Sequence, residues 1–320
     1  MERRKLGGTD LQVSPICLGT MQFGWTADEA ASRAVMDAFY EAGGNFLDTA
    51  DVYSNWTPGN PGGIAESLIG LWLRERANRA EMVIATKVRG RMWPGPDGEG
   101  LGRAHIMRAA EDSLRRLQID TIDLYQCHHP DVQTPIEETL RAFEELIEAG
   151  KVRYIGLSNY TAAMVREALG VARKSGLPEI VSLQPRYNLV HRGEFEASLA
   201  RVCERENIAV IPYSPLQGGF LTGKYRPDQP TPESPRAYSA RQYANEDGWR
   251  AIEALDRVAQ ARETTVAAAA VAWLLAKPAV AAPIVGANNP QQLADILPAA
   301  GLRLTPDEVA SLDAASARFA

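Results

Sequence analysis

Residues 45–53, NFLDTADVY, change character within the length of one strand. Phe46 and Leu47 are apolar and read as a buried strand, whereas Asp48, Asp51 and Tyr53 crowd its C-terminal end and the loop beyond. Strands of α/β barrels and doubly wound sheets deliver side chains to a site at their C-terminal ends in this way. Two further stretches repeat the pattern: MVIATKV, 82–88, runs into Lys87, and IDLYQCHHPD, 122–131, runs into His128 and His129. A carboxylate, a phenol, an ammonium and an imidazole at successive strand ends suit proton transfer. A cation beside a phenol favours the phenolate, so Asp48 is expected to hold Lys87, and Lys87 to depress the pKa of Tyr53. Asp51 by itself reads as a turn or helix-capping residue.

Outward from these stretches, strands and helices alternate. Residues 3–14 read as a hairpin turning at Gly7 and Gly8, and PICLG is the first long strand, ended by Gly19 and Thr20. Strands are expected at 45–48, 82–87, 122–127, 152–158, 180–183, 208–214 and 280–286. Helices are expected at 28–42, 64–76, 103–117, 161–176, 194–206, 249–261, 266–276 and 290–297, with one more behind Thr305-Pro306. Thr134 reads as the cap of a further helix whose first turn holds Pro135. Repeated strand–helix units predict a closed (β/α)8 TIM barrel spanning 1–320 as a single domain, with an N-terminal β-hairpin and extra helical segments at the C-terminus. The doubly wound alternative wants a GxGxxG turn after the first strand, and ICLGTMQFG does not supply it. The proline-containing stretch 216–246 is expected to be irregular and to act as a lid over cofactor or substrate.

Composition narrows the function. A chain of 320 residues, 45% apolar, buries one large core. Its formal charge of -6, without a basic cluster, argues against a nucleic-acid partner. The start MERRKLGGTD lacks the apolar segment of a secretory signal, and TVAAAAVAWLLA is too short to span a membrane, so a cytoplasmic enzyme with no membrane partner is expected. Cys17, Cys127 and Cys203 lack metal-ligand spacing and read as reduced thiols, Cys127 being open to oxidation if the pocket reaches it. No metal is expected, and no expectation is set for oligomeric state.

Taken together, DTADVY, ESLIG (66–70), ATK ending at Lys87, DLYQCHHPD, GLSNY, LQPRYN and YSPLQGGFLTGKY (213–225) resemble the aldo-keto reductases from KLGGTDLQVS to PIVGANNPQQL. The resemblance implies a hairpin closing the bottom of the barrel, and a catalytic tetrad of Asp48, Tyr53, Lys87 and His128. His128 would donate a hydrogen bond to a substrate carbonyl oxygen. It also implies a nicotinamide cofactor, since no side chain carries a hydride. Tyr213 matches the family's stacking platform, and Ser158, Asn159 and Gln184 match its carboxamide-holding positions. The backbone of Ser214, Pro215, Leu216, Gln217, Gly218 and Gly219 is expected around the pyrophosphate, with Gly19 and Thr20 nearby and Lys224 and Arg236 reaching phosphates from the lid. Tyr187 and Asn188 are expected to be structural.

The adenosine end departs from the family. Where relatives carry Gly-Ala-Arg or Gly-Ser-Ser and a later Glu-Asn, this chain reads GANNPQQLADI, with Gly286, Asn288, Gln292 and Asp295 at cofactor positions and Ile296 replacing Asn. The loss of a cationic donor weakens the grip on a 2′-phosphate, so NADPH (NADP) is favoured only modestly over NADH (NAD). The expected substrate is a small carbonyl compound or its alcohol, with Met21, Trp25, Trp56, Met92 and Trp93 as pocket walls. Two other readings stay open: an NAD-dependent sugar or secondary-alcohol dehydrogenase, and a cofactor-binding channel-type subunit with little activity. The missing N-terminal extension counts against the second.

Overall fold

The computed structural model describes all residues, 1–320. Strands β1 (Arg4–Lys5) and β2 (Gln12–Val13) pair antiparallel as the expected hairpin. Eight strands then form one parallel sheet. They are β3 (Cys17–Gly19), β4 (Phe46–Asp48), β5 (Val83–Val88), β6 (Ile122–Cys127), β7 (Val152–Ser158), β8 (Ile180–Gln184), β9 (Ala209–Val210) and β10 (Ile284–Val285). β10 lies beside β3 at one edge of this order and β9 stands at the other. Bonds from Ala281 N to Val210 O (2.8 Å) and from Ile284 N to Pro212 O (2.9 Å) join those edges, so the sheet closes into a (β/α)8 barrel.

The helices between strands are α1 (Glu29–Glu41), α2 (Ile64–Arg76), α3 (Arg103–Leu117), α4 (Ile136–Glu148), α5 (Ala162–Ser175), α6 (Ala200–Arg205), α7 (Ala237–Arg241), α8 (Glu246–Ala261) and α9 (Val266–Leu275); α10 (Pro290–Ala294) and α11 (Pro306–Ala315) follow the last strand. Local chemistry sets many of their ends. Asp28, Thr161, Asn245, Thr265 and Asn289 accept from the first-turn backbone, and Thr305 and Glu308 complete a capping box.

Three expectations change. Thr134 does not cap α4: its hydroxyl is committed to Asp131 Oδ2 at 2.8 Å, and Pro135 itself occupies the cap position. The helix expected over 194–206 opens as a π-turn, Phe195–Leu199, before α6. The stretch 216–246 is not wholly irregular, holding a 3-10 turn at Gln217–Thr222, then α7 and the first residue of α8. Short elements with few apolar residues carry little periodic signal, which is why they escape a reading by pattern.

Strand alternation divides the barrel interior into a dry floor and a polar ceiling. Phe46, Val83, Ala85 and Leu124 point inward and pack on Leu6, Leu11 and Val13 of the hairpin, which plugs the bottom. One alternation further along the same strands, Asp48, Lys87 and Gln126 point inward at the C-terminal end, all buried. Outside, a larger apolar cluster fills the space between barrel and helices.

Candidate functional site

At the ceiling of the barrel Lys87 Nζ uses all three of its donors. It bonds Asp48 Oδ1 at 2.5 Å, Thr49 O at 2.8 Å and Tyr53 Oη at 2.8 Å. Parallel register makes this inevitable once the strands align: Asp48 of β4 lies opposite Ala85 of β5, and Lys87 stands two residues further on the same face. Burial opposes the charge on Lys87, but Asp48 and Tyr53 together outweigh it and hold the ammonium above its ordinary pKa. The Tyr53 phenol is pushed above its usual value by burial, which exceeds the opposing pull of Lys87. The depressed tyrosine pKa expected from the sequence is therefore absent in this state, because desolvation penalises the phenolate more than one nearby cation favours it.

His128 comes directly after β6, its ring centroid 5.8 Å from that of Tyr53 and stacked on His129 at 5.1 Å. Burial, with Lys87, His129 and Arg89 nearby, holds its pKa well below the ordinary value, so the imidazole is neutral. Asp48, Tyr53 and His128 face a cavity of about 650 Å³, while Lys87 lies behind them with no exposed surface.

The same cavity is lined by Gly19, Ser158, Asn159, Gln184, Tyr213, the run from Ser214 to Gly219, Lys224, Arg236, Gly286, Asn288, Gln292 and Asp295. Of the cofactor positions expected from the sequence, Thr20 alone is outside the wall; it is buried, with its hydroxyl on Asp48 O at 3.1 Å. Asn159 is engaged internally, donating to His128 O (2.9 Å) and accepting from Tyr213 Oη (2.9 Å), which leaves the Tyr213 ring to face the cavity. Asn188 donates to Ser214 O and Gln217 Oε1, both at 2.9 Å, and thereby braces the loop after β9.

That loop suits an anion. Ser214, Gln217, Gly218 and Gly219 all take positive φ (55°, 47°, 63° and 93°), and the N–H groups of Leu216 and Gly218 have no partner within the protein. A Cβ on Gly219 would stand 3.2 Å from Lys224 Nζ, so the glycine admits the ammonium to the loop. Arg236 carries a buried, unpartnered Nη2 and lies 5.6 Å from the Trp25 ring. A concave backbone with two cations fits a pyrophosphate, and a length of cavity running from Asn288 to Tyr53 fits a dinucleotide.

The aldo/keto reductase family model matches residues 15–317. The chain belongs to the aldo/keto reductase family. The chain is 33% identical over 304 residues to a probable voltage-gated potassium channel subunit beta of Arabidopsis thaliana, covering 92% of this chain and 89% of that one. It is 36% identical over 310 residues to an uncharacterised oxidoreductase of Bacillus subtilis (95% and 92%), and 32% identical over 316 residues to norsolorinic acid reductase of Aspergillus flavus (95% and 78%).

Other expectations for the aldo/keto reductase site are revised. Among the expected apolar walls only Met21 lines the cavity. Trp93 packs instead on His105 (4.7 Å) and under the Arg108 guanidinium (4.1 Å), and Trp25 and Trp56 pair edge to face at 5.6 Å beside Arg236. Asp51 does lie in the turn after β4, but its side chain does not cap it: both carboxylate oxygens are buried without a close partner, and burial together with Glu66 pushes its pKa well up. Cys17, Cys127 and Cys203 are free and buried, and burial pushes the Cys127 thiol up to about 12. Gln22, Thr265 and Ala267 line the cavity although no sequence motif marks them as site residues, and Thr222 and Ser234 line it from within the motif 213–225 and the expected lid, where nothing singles them out. Gln126 lies inside the IDLYQCHHPD stretch, and its one local signal is a polar residue at an inward strand position.

Proposed function

We propose that the protein transfers hydride between a nicotinamide cofactor and an aldehyde or ketone, or the corresponding alcohol in reverse, with Tyr53 as general acid and base. The observation that carries this reading is the bonding of Lys87. Because Lys87 donates to Tyr53 Oη, the phenol accepts there and keeps its own hydrogen free for an oxygen in the cavity. The raised pKa keeps that hydrogen in place at neutral pH, the state a proton donor requires. Once it is given up, the ammonium 2.8 Å away stabilises the phenolate, and Asp48 and Thr49 hold the ammonium in place. His128, neutral, offers one N–H to the same oxygen and fixes its direction. When bound, the cofactor supplies the hydride.

Tyr213 supports a nicotinamide ring, Ser158 and Gln184 its carboxamide, and residues 214–219 with Lys224 and Arg236 its pyrophosphate. NADPH is the first assignment and NADH a close second, since Asn288 and Gln292 offer no charge to a 2′-phosphate. Norsolorinic acid reductase among the relatives favours carbonyl reduction, whereas the channel subunits favour a second reading as a cofactor-binding subunit of a channel. We place the protein in the cytoplasm; no helix is long and apolar enough to cross a membrane. Fluorescence titration with the oxidised and reduced forms of both nicotinamide cofactors, followed by a carbonyl screen with the tightest, tests the reading. Binding with no turnover of any aldehyde or ketone would favour the channel subunit, and no binding would end both.

A further inference from the structure

Asp48 divides its two oxygens between different tasks. Oδ1 receives Lys87, while Oδ2 receives Gln126 Nε2 at 3.1 Å and Gln184 Nε2 at 2.9 Å. A carboxylate only accepts, so both amides must turn their nitrogens toward it. Gln126 Oε1 is then left to accept the second N–H of Gln184, at 3.1 Å. With both N–H groups of Gln184 engaged, its Oε1 is the one group left to face the cavity that Gln184 lines. All three side chains are buried, where an amide without partners is costly, so the arrangement is held firmly. They meet because β4, β6 and β8 are alternate strands of the barrel, whose inward residues share a layer. Gly156 on the intervening β7 makes the room: a Cβ there would meet Ser182 Oγ at 2.2 Å and Gln126 Cγ at 3.2 Å.

We propose that Gln126 is a positioning residue that locks the Gln184 amide with its oxygen toward the nicotinamide carboxamide and ties that amide to Asp48, so that the cofactor site and the proton-transfer site share one carboxylate. The proposal rests on the function argued above. In Gln126→Leu the acceptor for Gln184 and the donor to Asp48 are both lost, and the Gln184 amide is held by its bond to Asp48 alone. In Gln126→Glu the introduced carboxyl still accepts from Gln184, but when ionised it stands against Asp48 and favours the protonated forms of its neighbours.

The test is NADPH and NADH affinity by fluorescence titration, with single-turnover aldehyde reduction followed against pH, in variants whose melting is checked first. Gln126→Leu is expected to weaken the cofactor about tenfold, a change on the order of the loss of one hydrogen bond that orients Gln184. Paired with Gln184→Leu in a double-mutant cycle, its effect on affinity should largely vanish, because it acts through Gln184. Gln126→Glu is expected to bind cofactor within about twofold of wild type, while its rate declines with rising pH from a lower pH than that of wild type. Additive losses in the cycle, or a pH profile for Gln126→Glu superimposable on wild type, overturn the proposal while leaving the reductase reading intact. Failure of the wild type to bind either cofactor overturns both. Because Gln126→Glu preserves size and polarity, it decides the matter even if Gln126→Leu does not fold.

Discussion

Tyr53 and Asp51 sit two residues apart and meet opposite fates. The phenol of Tyr53 has Lys87 at 2.8 Å and faces the cavity; the carboxyl of Asp51 is buried beside Glu66 with no close partner. In Tyr53→Phe the ring still fills its place and the proton is gone. We expect the single-turnover rate to fall by about 100-fold or more, with cofactor affinity within a few fold; a rate above roughly a tenth of wild type would remove Tyr53 from its role. Asp51 changes stability rather than rate. Its folded pKa is raised, so below pH ~4 both folded and unfolded states are protonated and no penalty arises. As pH rises, the unfolded carboxyl ionises first, and stability declines until the folded pKa is passed. Asp51→Asn keeps the shape of the neutral acid without that decline. Its melting temperature should match wild type near pH 4 and exceed it at pH 8; a deficit at both pH values would show that the acid itself is needed.

Among the elements, the segment after β9 and the turn after β10 are the ones proposed to hold the cofactor. The first holds only short pieces of structure between Leu216 and Asn245, with an exposed run near residues 227–235. Segments with few buried apolar contacts open most easily. Cofactor binding should therefore increase amide protection across residues 214–241, read by hydrogen exchange, and equal exchange in both states would deny it a lid's role. On the turn after β10, Asn288 Oδ1 accepts from Thr26 at 2.6 Å, and Gln292 Oε1 accepts from Asn288 N at 3.0 Å. Both are neutral and partly committed, and Asp295 is exposed nearby with an opposing charge. Asn288→Arg should raise the NADPH over NADH ratio of catalytic efficiencies by about tenfold, ~1.4 kcal/mol for one partly exposed charge-assisted contact. An unchanged ratio at low ionic strength would move the phosphate toward Lys224 or Arg236.

For the molecule as a barrel, the division into an apolar floor and a polar ceiling separates stability from chemistry. Leu6 of the hairpin is fully buried with Phe46, Val83 and Leu124, whereas the bonds of Asp48, Lys87 and Gln126 lie at the other end of the same strands. Leu6→Ala leaves a cavity in the floor and should destabilise by about 2–5 kcal/mol, measured by denaturant unfolding. Well below the melting temperature kcat should stay within about twofold. A large loss of kcat in a folded variant would mean that the floor sets the geometry of the ceiling.

The barrel and the members of the site were legible because their signals are local. Apolar runs ended by polar residues placed Asp48, Lys87 and His128 at strand ends, and Asp28, Thr161 and Thr305 marked helix starts by chemistry confined to one turn. The starts of α2 and α3 carry no side-chain cap, so their legibility rested on hydrophobic period. What only tertiary structure decided depends on neighbours remote in the chain. Burial determined that Tyr53 is a protonated phenol in spite of Lys87, and that His128, with Lys87 adding to burial, is a neutral imidazole; no window of sequence carries the depth of a side chain. Trp93 went to His105 and Arg108 and away from the cavity because loops are placed by packing, which has no period. Gln126 found Asp48 and Gln184, 78 and 58 residues away, because a closed barrel brings alternate strands into one layer.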